Sequence, residues 1–202
     1  MTACAALLVS MARPVLAVDF DLRVMAADSA AISFSVNLEG RATEKITRSL
    51  RDGFPVQVTY QIELWQVRAR WFDRLVAADR FGYLIRLDPW SGDYTLESDD
   101  LPGRSFDSED DLVAWLSDHG PLDITSRDPL LETHQFYLAG HAAIAPLTEE
   151  QVGAVERWLR GPSDDGPGMT GVFFDLALRM SGLGALEASA QSVKFRPGAV
   201  AR

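Results

Sequence analysis

Residues 32–39 read Ile-Ser-Phe-Ser-Val-Asn-Leu-Glu, and residues 56–64 read Val-Gln-Val-Thr-Tyr-Gln-Ile-Glu-Leu. Apolar and polar side chains alternate strictly in both stretches. Because successive side chains of a strand point to opposite faces of a sheet, this alternation predicts one apolar face and one polar face. Such strands are typical of antiparallel sheets with one buried and one solvated side. The pattern indicates a fold class, but no catalytic or cofactor motif accompanies it.

The sequence around these two stretches predicts a β-rich α+β fold. Alternation over Phe20–Val24 predicts an earlier strand, and Ala42–Arg51 predicts a helix that Gly53 and Pro55 bring to an end. We interpret Arg68–Asp88 as one long strand that returns beside the strand containing residues 56–64. Together these elements predict antiparallel, sandwich-like sheets with about three to four covering helices.

The second half of the chain is predicted to hold three helices and one further strand. In order, they are a helix capped by Asp107 or Ser108 and stopped by Gly120 and Pro121, a strand over His134–Ile144, a helix opened by the capping box Thr148–Gln151, and a helix over 172–183. We divide the chain into a signal peptide (1–17), a β-rich core domain (18–161), and a linker, C-terminal helix and loose tail (162–202). The loose part begins at Gly184, where small residues predominate.

The amino terminus has the shape of an export signal. Ala3–Val9 is small and apolar, and Val15-Leu16-Ala17 offers a small-residue cleavage site. The apolar run is far shorter than the roughly 20 residues that span a bilayer. The single cysteine, Cys4, falls inside this segment, so a cleaved chain would hold no disulfide. We therefore predict an exported protein, periplasmic or envelope-associated; the competing interpretation is an N-terminal strand or a frayed end.

The charge of the chain is acidic and unevenly distributed. The formal net charge is −10, which lowers the expectation of nucleic-acid binding because phosphate backbones repel an acidic protein. Residues 41–90 nevertheless hold nine Lys or Arg against six Asp or Glu, whereas residues 91–202 hold eight against 19. This asymmetry indicates either a basic and an acidic face on one globule or acidic loops that serve solubility.

A row of arginines follows the second alternating stretch. If residues 68–88 form one unbroken strand, five side chains project from the same face, namely Arg68, Arg70, Arg74, Arg80 and Arg86. With Trp71 they make a candidate surface for an anionic partner, either an acidic protein or a lipid headgroup layer. The alternative is a solvated face with cross-strand partners such as Glu63 or the acidic helix after Phe106, and Trp71 could equally pack in the core.

The sequence supplies little material for catalysis or metal binding. A metal site needs two or three converging ligands, but His134 and His141 are seven residues apart on a predicted strand, which places them on opposite faces. His119 is predicted at a helix end, where a partly protonated imidazole suits the helix dipole. No Gly-x-Ser-x-Gly elbow or glycine-rich phosphate loop is present. We predict no catalytic residues, no metal and no cofactor.

The order of motifs resembles a known family. Thr43-Glu44-Lys45 in the helix, Gly53-Phe54-Pro55 after it, Trp71-Phe72-Asp73-Arg74 and Tyr94 after a hairpin are similar to bacterial proteins grouped as a domain of unknown function, DUF4390. The resemblance covers roughly residues 20 to 160. It implies an N-terminal export signal and an association with genes for a nitrogen-regulation-type sensor kinase. The family defines no catalytic residues that could be carried over.

The function we predict is that of an exported, envelope-located binding or accessory domain without catalytic activity. The resemblance implies that it supports a membrane signalling protein. Its expected partner is an envelope protein or an anionic membrane surface, not nucleic acid, and the sequence does not specify an oligomeric state. The alternative is an enzyme of unrecognised type whose site is assembled in space.

Overall fold

Nine strands and two helices occupy the part of the chain that the computed structural model describes, residues 19–98, 103–147 and 185–198. The strands are β1 (Asp19–Ala27), β2 (Ala31–Glu39), β3 (Val56–Gln66), β4 (Arg74–Leu87), β5 (Tyr94–Glu97), β6 (Arg104–Phe106), β7 (His119–Thr125), β8 (Phe136–Pro146) and β9 (Leu186–Gln191). The helices are α1 (Arg41–Arg51) and α2 (Glu109–Ser117). The predicted β-rich α+β class is therefore confirmed.

The strands form two antiparallel sheets. One sheet has the strand order β1-β2-β7, and the other has the order β6-β5-β4-β3-β8-β9. The apolar faces of the two sheets meet: Phe20 stacks on Tyr60 with ring centroids 6.0 Å apart, and Phe34 meets Phe81 edge-on at 5.9 Å. The core that results contains the apolar members of both quoted stretches, all of them buried.

The two sheets approach closely at Gly140 in β8. A Cβ atom at this position would lie 2.7 Å from Leu22 Cδ1 and 3.1 Å from Ile62 Cδ1. Because real side chains do not tolerate such distances, a larger residue here would force the ends of these buried side chains to move within a packed core. Gly140 therefore leaves room for the side chains that fill the space between the two apolar faces.

Helix α1 connects the two sheets and buries one apolar face. Ala42, Ile46 and Leu50 are all at most 1% exposed. Their spacing of four residues places them on one side of the helix. The helix is followed by Gly53 at φ 84°, a left-handed conformation that favours glycine, and by Pro55 immediately before β3.

Three predictions about the second half of the chain are wrong or only partly met. Gly120 and Pro121 do not stop a helix, because α2 already ends at Ser117 and both residues lie inside β7. The tail is not loose over residues 185–198, because β9 pairs with β8 along its whole length, from Leu186 opposite Ile144 to Gln191 opposite Ala139. The described residues contain two helices rather than three to four; the helices predicted after Thr148 and over 172–183, and the linker between them, fall outside the described residues.

The sheets have two contrasting ends, a loop end and a helix end. The loop end consists of the turn 28–30, the segments 67–73 and 126–135, and residues 192–198. Backbone hydrogen bonds join these pieces, from Ser126 N to Ala30 O (2.9 Å), from Val67 N to Gln135 O (2.8 Å) and from Gly198 N to Ala27 O (2.9 Å). The helix end holds α1, the link 52–55 and the hairpin turn 88–93, at the opposite ends of the same strands.

Candidate functional site

The segment Val67–Asp73 is a loop and not the start of the long strand that the sequence predicted. Strand β4 begins only at Arg74. Asp73 holds the loop in place: its Oδ1 accepts a hydrogen bond from Arg68 N at 3.0 Å, and its Oδ2 accepts one from Tyr137 Oη at 3.1 Å. Desolvation raises the pKa of Tyr137, and the hydrogen bond to Asp73 raises it further. The loop is therefore an ordered projection with its base tied to β8.

Two adjacent aromatic side chains form the outermost part of this loop. Trp71 is 78% exposed and Phe72 is 95% exposed. Trp71 was one of the candidate surface residues from the sequence, and its neighbour Phe72 was not included in that set. Two consecutive large apolar residues cannot share one face of a strand, so the sequence indicated that at least one of them is exposed. Fully exposed aromatics on an ordered loop have no role in core packing, so the loop is a candidate contact surface.

The structure divides the predicted arginine row. Arg68 and Arg70 lie in the loop and are exposed. Arg74 is opposite Gln66, and a register shift between Leu64 and Trp65 separates it from the rest of β4. The five arginines therefore do not share a face, and the single-strand prediction is wrong.

The two remaining arginines lie elsewhere on the six-stranded sheet. Arg80 is opposite Gln61 on the outer face, and Arg86 is opposite Thr95 on the same face. Arg86 also forms an ion pair with Glu97 at 3.3 Å. Both side chains are only half-exposed. Of the predicted anionic-partner surface, the structure brings together Arg68, Arg70, Arg74 and Trp71, and it separates them from Arg80 and Arg86.

Exposed apolar side chains are concentrated at the loop end. Within the described residues, eight large apolar side chains are exposed. Six of them lie at or beside the loop end, namely Met25, Trp71, Phe72, Leu75, Leu131 and Val193. Phe54 and Trp90 lie at the helix end. An accumulation of this kind marks an interaction surface more often than scattered exposed residues do.

The loop end carries charged side chains of both signs, and its cations are more available than its anions for contact with a partner. The cationic side chains are Arg68, Arg70, Arg74, Arg127, Lys194 and Arg196, and the anionic ones are Asp28, Asp73, Asp128 and Glu132. Asp28 accepts hydrogen bonds from two backbone amides, which lower its pKa, and Asp128 pairs with Arg74 at 2.9 Å. Within residues 19–98, 103–147 and 185–198, Arg68 and Arg70 form no ion pair.

Two concave regions lie near these features, and both are small. A cavity of about 110 Å³ at the loop end is lined by residues that include Gln66, Arg74, Leu130 and Phe136. A second concavity of about 260 Å³ lies between α1 and α2 and is lined mainly by polar groups, among them Arg51 and Glu109. Sites for drug-sized ligands usually enclose about 300–1,000 Å³, so neither concavity suits such a ligand.

Arg51 and Glu109, which line the second concavity, form an ion pair between α1 and α2. Arg51 Nε donates to Glu109 Oε2 at 2.8 Å, and the Arg51 Nη2 group also contacts Glu109 Oε1. Glu109 lies in the first turn of α2, where the helix dipole favours a negative charge. Ser108 caps the same helix, as predicted, by accepting a hydrogen bond from Asp111 N at 3.2 Å. The acidic helix start therefore pairs with α1 and not with the arginine row.

His119 is a buried core residue and not a charged helix terminus. It is 2% exposed, its Nε2 is hydrogen-bonded to Tyr83 Oη, and its ring lies 4.0 Å from that of Trp115, measured between centroids. Burial, assisted by the positive charge of Arg104, lowers the pKa of His119 from 6.5 to about 4. The imidazole is therefore neutral near pH 7, and the prediction of partial protonation is wrong.

Two polar atoms of this aromatic cluster have no hydrogen-bond partner among the described residues. They are His119 Nδ1 and Tyr60 Oη, both completely buried, and burial raises the pKa of Tyr60 well above its usual value. The rings of Tyr60 and His119 are 6.4 Å apart between centroids. Buried polar atoms without a protein partner usually bind an ordered water. Because the cluster lies between the sheets, it is not positioned to meet a substrate.

The other two histidines are not near each other or near His119 in the fold. His134 lies two residues before β8 and not on it, and His141 lies on the exposed face of β8, where its Nδ1 is 2.8 Å from Ser189 Oγ. In the described part of the chain, no group of three or more His, Cys, Asp or Glu residues is arranged to hold a metal ion. Among the same residues, no helix is long and apolar enough to cross a bilayer.

Comparison with known proteins gives one match. The model of a family described as a domain of unknown function, DUF4390, matches residues 20–144. The chain belongs to the DUF4390 family. The matched range runs from Phe20 in β1 to Ile144 in β8, so it includes residues of every described strand except β9. No curated protein and no solved structure matched the chain.

Proposed function

We propose that this member of the DUF4390 family is an exported binding or accessory domain of the cell envelope that works without catalysis. The observation that carries the proposal is the pair Trp71 and Phe72, exposed at the tip of an ordered loop. They are flanked by Arg68 and Arg70, which form no ion pair with the described residues. Exposing two large aromatics to water is unfavourable unless a contact removes them from it. The loop end is then the docking surface of the domain.

The position of the loop suits a module that is presented to a partner. The loop lies at the end of the sheets opposite the start of β1 at Asp19, because Asp19 pairs with Glu39 next to α1. The start of β1 therefore does not lie at the loop end, which suits a loop end that contacts a partner. An accessory role for a membrane signalling protein is what the sequence resemblance implies.

The alternative of an enzyme with a site assembled in space gains no support from the described residues. The titratable groups with the largest pKa shifts, His119 and Tyr60, lie in the core between the sheets. The exposed groups at the loop end include arginines and aromatics, which are typical of binding surfaces.

Crosslinking in intact cells tests the docking surface. A photoreactive amino acid is placed at Phe72 and, as the matched control, at Trp90, which is 94% exposed at the helix end. We expect a specific crosslinked species from position 72 and none from position 90, identified as lipid or protein by mass spectrometry. Equal crosslinking at both positions, or none at either, would contradict the proposal.

Export is tested separately. Mass spectrometry of the chain from the envelope fraction should show a mature protein that begins after Ala17, in keeping with the small-residue cleavage site of the sequence. A protein that fractionates only with the cytoplasm and retains Met1 would contradict export.

A further inference from the structure

We propose that the loop end binds the surface of an anionic phospholipid bilayer, with Trp71 and Phe72 inserted among the headgroups. This inference rests on the proposed binding function and names its partner class. It follows from the shape, the chemistry and the charge of the loop end taken together.

The shape of the loop suits a lipid surface better than a protein pocket. Trp71 and Phe72 are adjacent and project outwards, with 78% and 95% of their surfaces exposed. A protein partner would need a complementary pocket and a surrounding rim for such a tip. A bilayer interface accepts aromatic side chains without one, and it is where tryptophan accumulates in membrane proteins.

The order of the loop favours insertion of its tip. The hydrogen bonds of Asp73 to Arg68 N and to Tyr137 Oη fix the loop base, and Val67 N donates to Gln135 O at 2.8 Å. A loop that is already ordered loses little conformational entropy when its tip becomes buried. Other exposed apolar side chains at the same end, Leu131 and Val193 among them, lie beside the segments that a shallow insertion would approach.

The charge distribution selects an anionic surface and one orientation. Arg68 and Arg70 precede the two aromatics and form no ion pair within the described residues, and Lys194 and Arg196 are exposed at the same end. Basic side chains near the surface of an anionic leaflet are attracted to it. Because the whole chain carries a formal charge of −10, an anionic surface repels the chain as a whole, and the cations of the loop end favour approach by that end.

Vesicle flotation with the full chain tests the inference. The probes are vesicles of phosphatidylglycerol with phosphatidylethanolamine and, for comparison, vesicles of phosphatidylcholine alone. We expect binding to the anionic vesicles that weakens as salt is raised, because screening shortens the reach of the arginine charges. Equal binding to both vesicle types, or binding that salt does not affect, would overturn the proposed role of the arginines.

Matched variants separate the loop end from other parts of the chain. Phe72→Ser should weaken binding roughly tenfold, because less apolar surface is removed from water when the loop binds. Trp90→Ser should leave binding unchanged. The double substitution Arg68→Gln and Arg70→Gln should weaken binding to anionic vesicles about fivefold for each charge removed. The pair Arg23→Gln and Arg48→Gln removes the same charge outside the loop end and should have little effect. Equal losses in both pairs would overturn the inference.

Tryptophan fluorescence reports insertion directly. Wild-type emission should shift to the blue when anionic vesicles are added, and bromine-labelled lipids should quench it. Trp71→Phe keeps an apolar aromatic at the tip, so it should retain binding within about threefold but lose most of the shift. A shift that persists in Trp71→Phe and disappears in Trp90→Phe would place the contact at the helix end and overturn the proposal.

The outcomes distinguish this inference from the proposed function. If the chain floats with neither type of vesicle while position 72 crosslinks to an identified envelope protein, the lipid inference fails and the binding function stands. If position 72 captures neither lipid nor protein and flotation is absent, both fail.

Discussion

Strand β3 and the loop that follows it are consecutive in sequence and opposite in character. In β3 the residues with even numbers from Val56 to Leu64 are at most 1% exposed, and each has a neighbour on both sides in the sheet. In the loop, Trp71 is 78% exposed and Phe72 is 95% exposed. The apolar side chains of β3 therefore serve stability, whereas those of the loop are available for contact with another molecule.

The largest expected effect comes from placing a charge on the buried face of β3. Ile62→Asp should unfold the domain, because an unpaired buried carboxylate costs several kcal/mol, on the order of the whole folding free energy. Gln61→Asp, one residue earlier on the partly exposed outer face, should lower stability by less than about 1 kcal/mol. Thermal denaturation of both variants checks this prediction. Similar losses at the two positions would contradict the assignment of the faces.

A side chain at Gly140 should give the next largest effect. Gly140→Val places a larger side chain against the ends of Leu22 and Ile62, which must move within a packed core at a cost of about 1–3 kcal/mol. Chemical denaturation measures the change in the free energy of unfolding. Ala139→Val, on the opposite face of the same strand, is the matched control and should have a smaller effect. A Gly140→Val variant as stable as wild type would show that the sheets are less closely packed at this point.

The sequence predicted β3 and the core well because one face of that strand is buried throughout. Where burial alternates strictly, polar and apolar residues must alternate as well, so the pattern and the structure agree. Of the predicted strand Arg68–Asp88, residues 74–87 do form β4 beside β3. The same reasoning failed for residues 68–73, since neither side of the loop is buried and nothing constrains its pattern. It also failed for the chain after Gly184: the alternation in β9 is carried by small residues, whose contrast between inward and outward positions is weak.

The candidate site was predicted only in part for related reasons. Arg68, Arg70, Arg74 and Trp71 do lie together at the loop end, but the argument that grouped them with Arg80 and Arg86 assumed a strand without a register shift. Lys194 and Arg196 could not be assigned to the site from the sequence, because they reach the loop end through the pairing of Phe136 with Phe195. Contacts between residues so distant in sequence depend on topology rather than on local pattern.

An effect of similar size, which develops only as the pH falls, comes from His119 in the core. Its folded-state pKa of about 4 lies below its unfolded value of 6.5, so the unfolded state binds the proton first as the pH falls. The stability is therefore complete above about pH 6.5 and declines between about pH 6.5 and pH 4, by roughly 2–4 kcal/mol in total. The polar and charged groups that interact with this ring are Tyr83, Tyr60 and Arg104.

A variant that cannot titrate isolates the contribution of His119. His119→Gln should reduce the loss of stability between pH 6.5 and pH 4 relative to wild type, even though the substitution lowers stability at neutral pH by disturbing the contacts with Tyr83 and Trp115. His141→Gln, on an exposed strand face, should leave the pH profile unchanged. Urea denaturation at several pH values provides the measurement. Parallel profiles for wild type and His119→Gln would show that other groups are responsible for the acid sensitivity.

The smallest effect on stability is expected in the loop, and it is the clearest test of the contrast with β3. Trp71→Ser and Phe72→Ser remove large apolar side chains, yet these side chains are 78% and 95% exposed and bury little surface on folding. The free energy of unfolding should therefore change by no more than about 0.5 kcal/mol. In β3, a comparable truncation such as Tyr60→Ser should cost about 3–5 kcal/mol because it leaves a cavity. Differential scanning calorimetry of the three variants checks the contrast. A marked loss of stability in either loop variant would mean that the aromatics pack against the protein itself, and the loop would then lose its distinction as a surface kept free for binding.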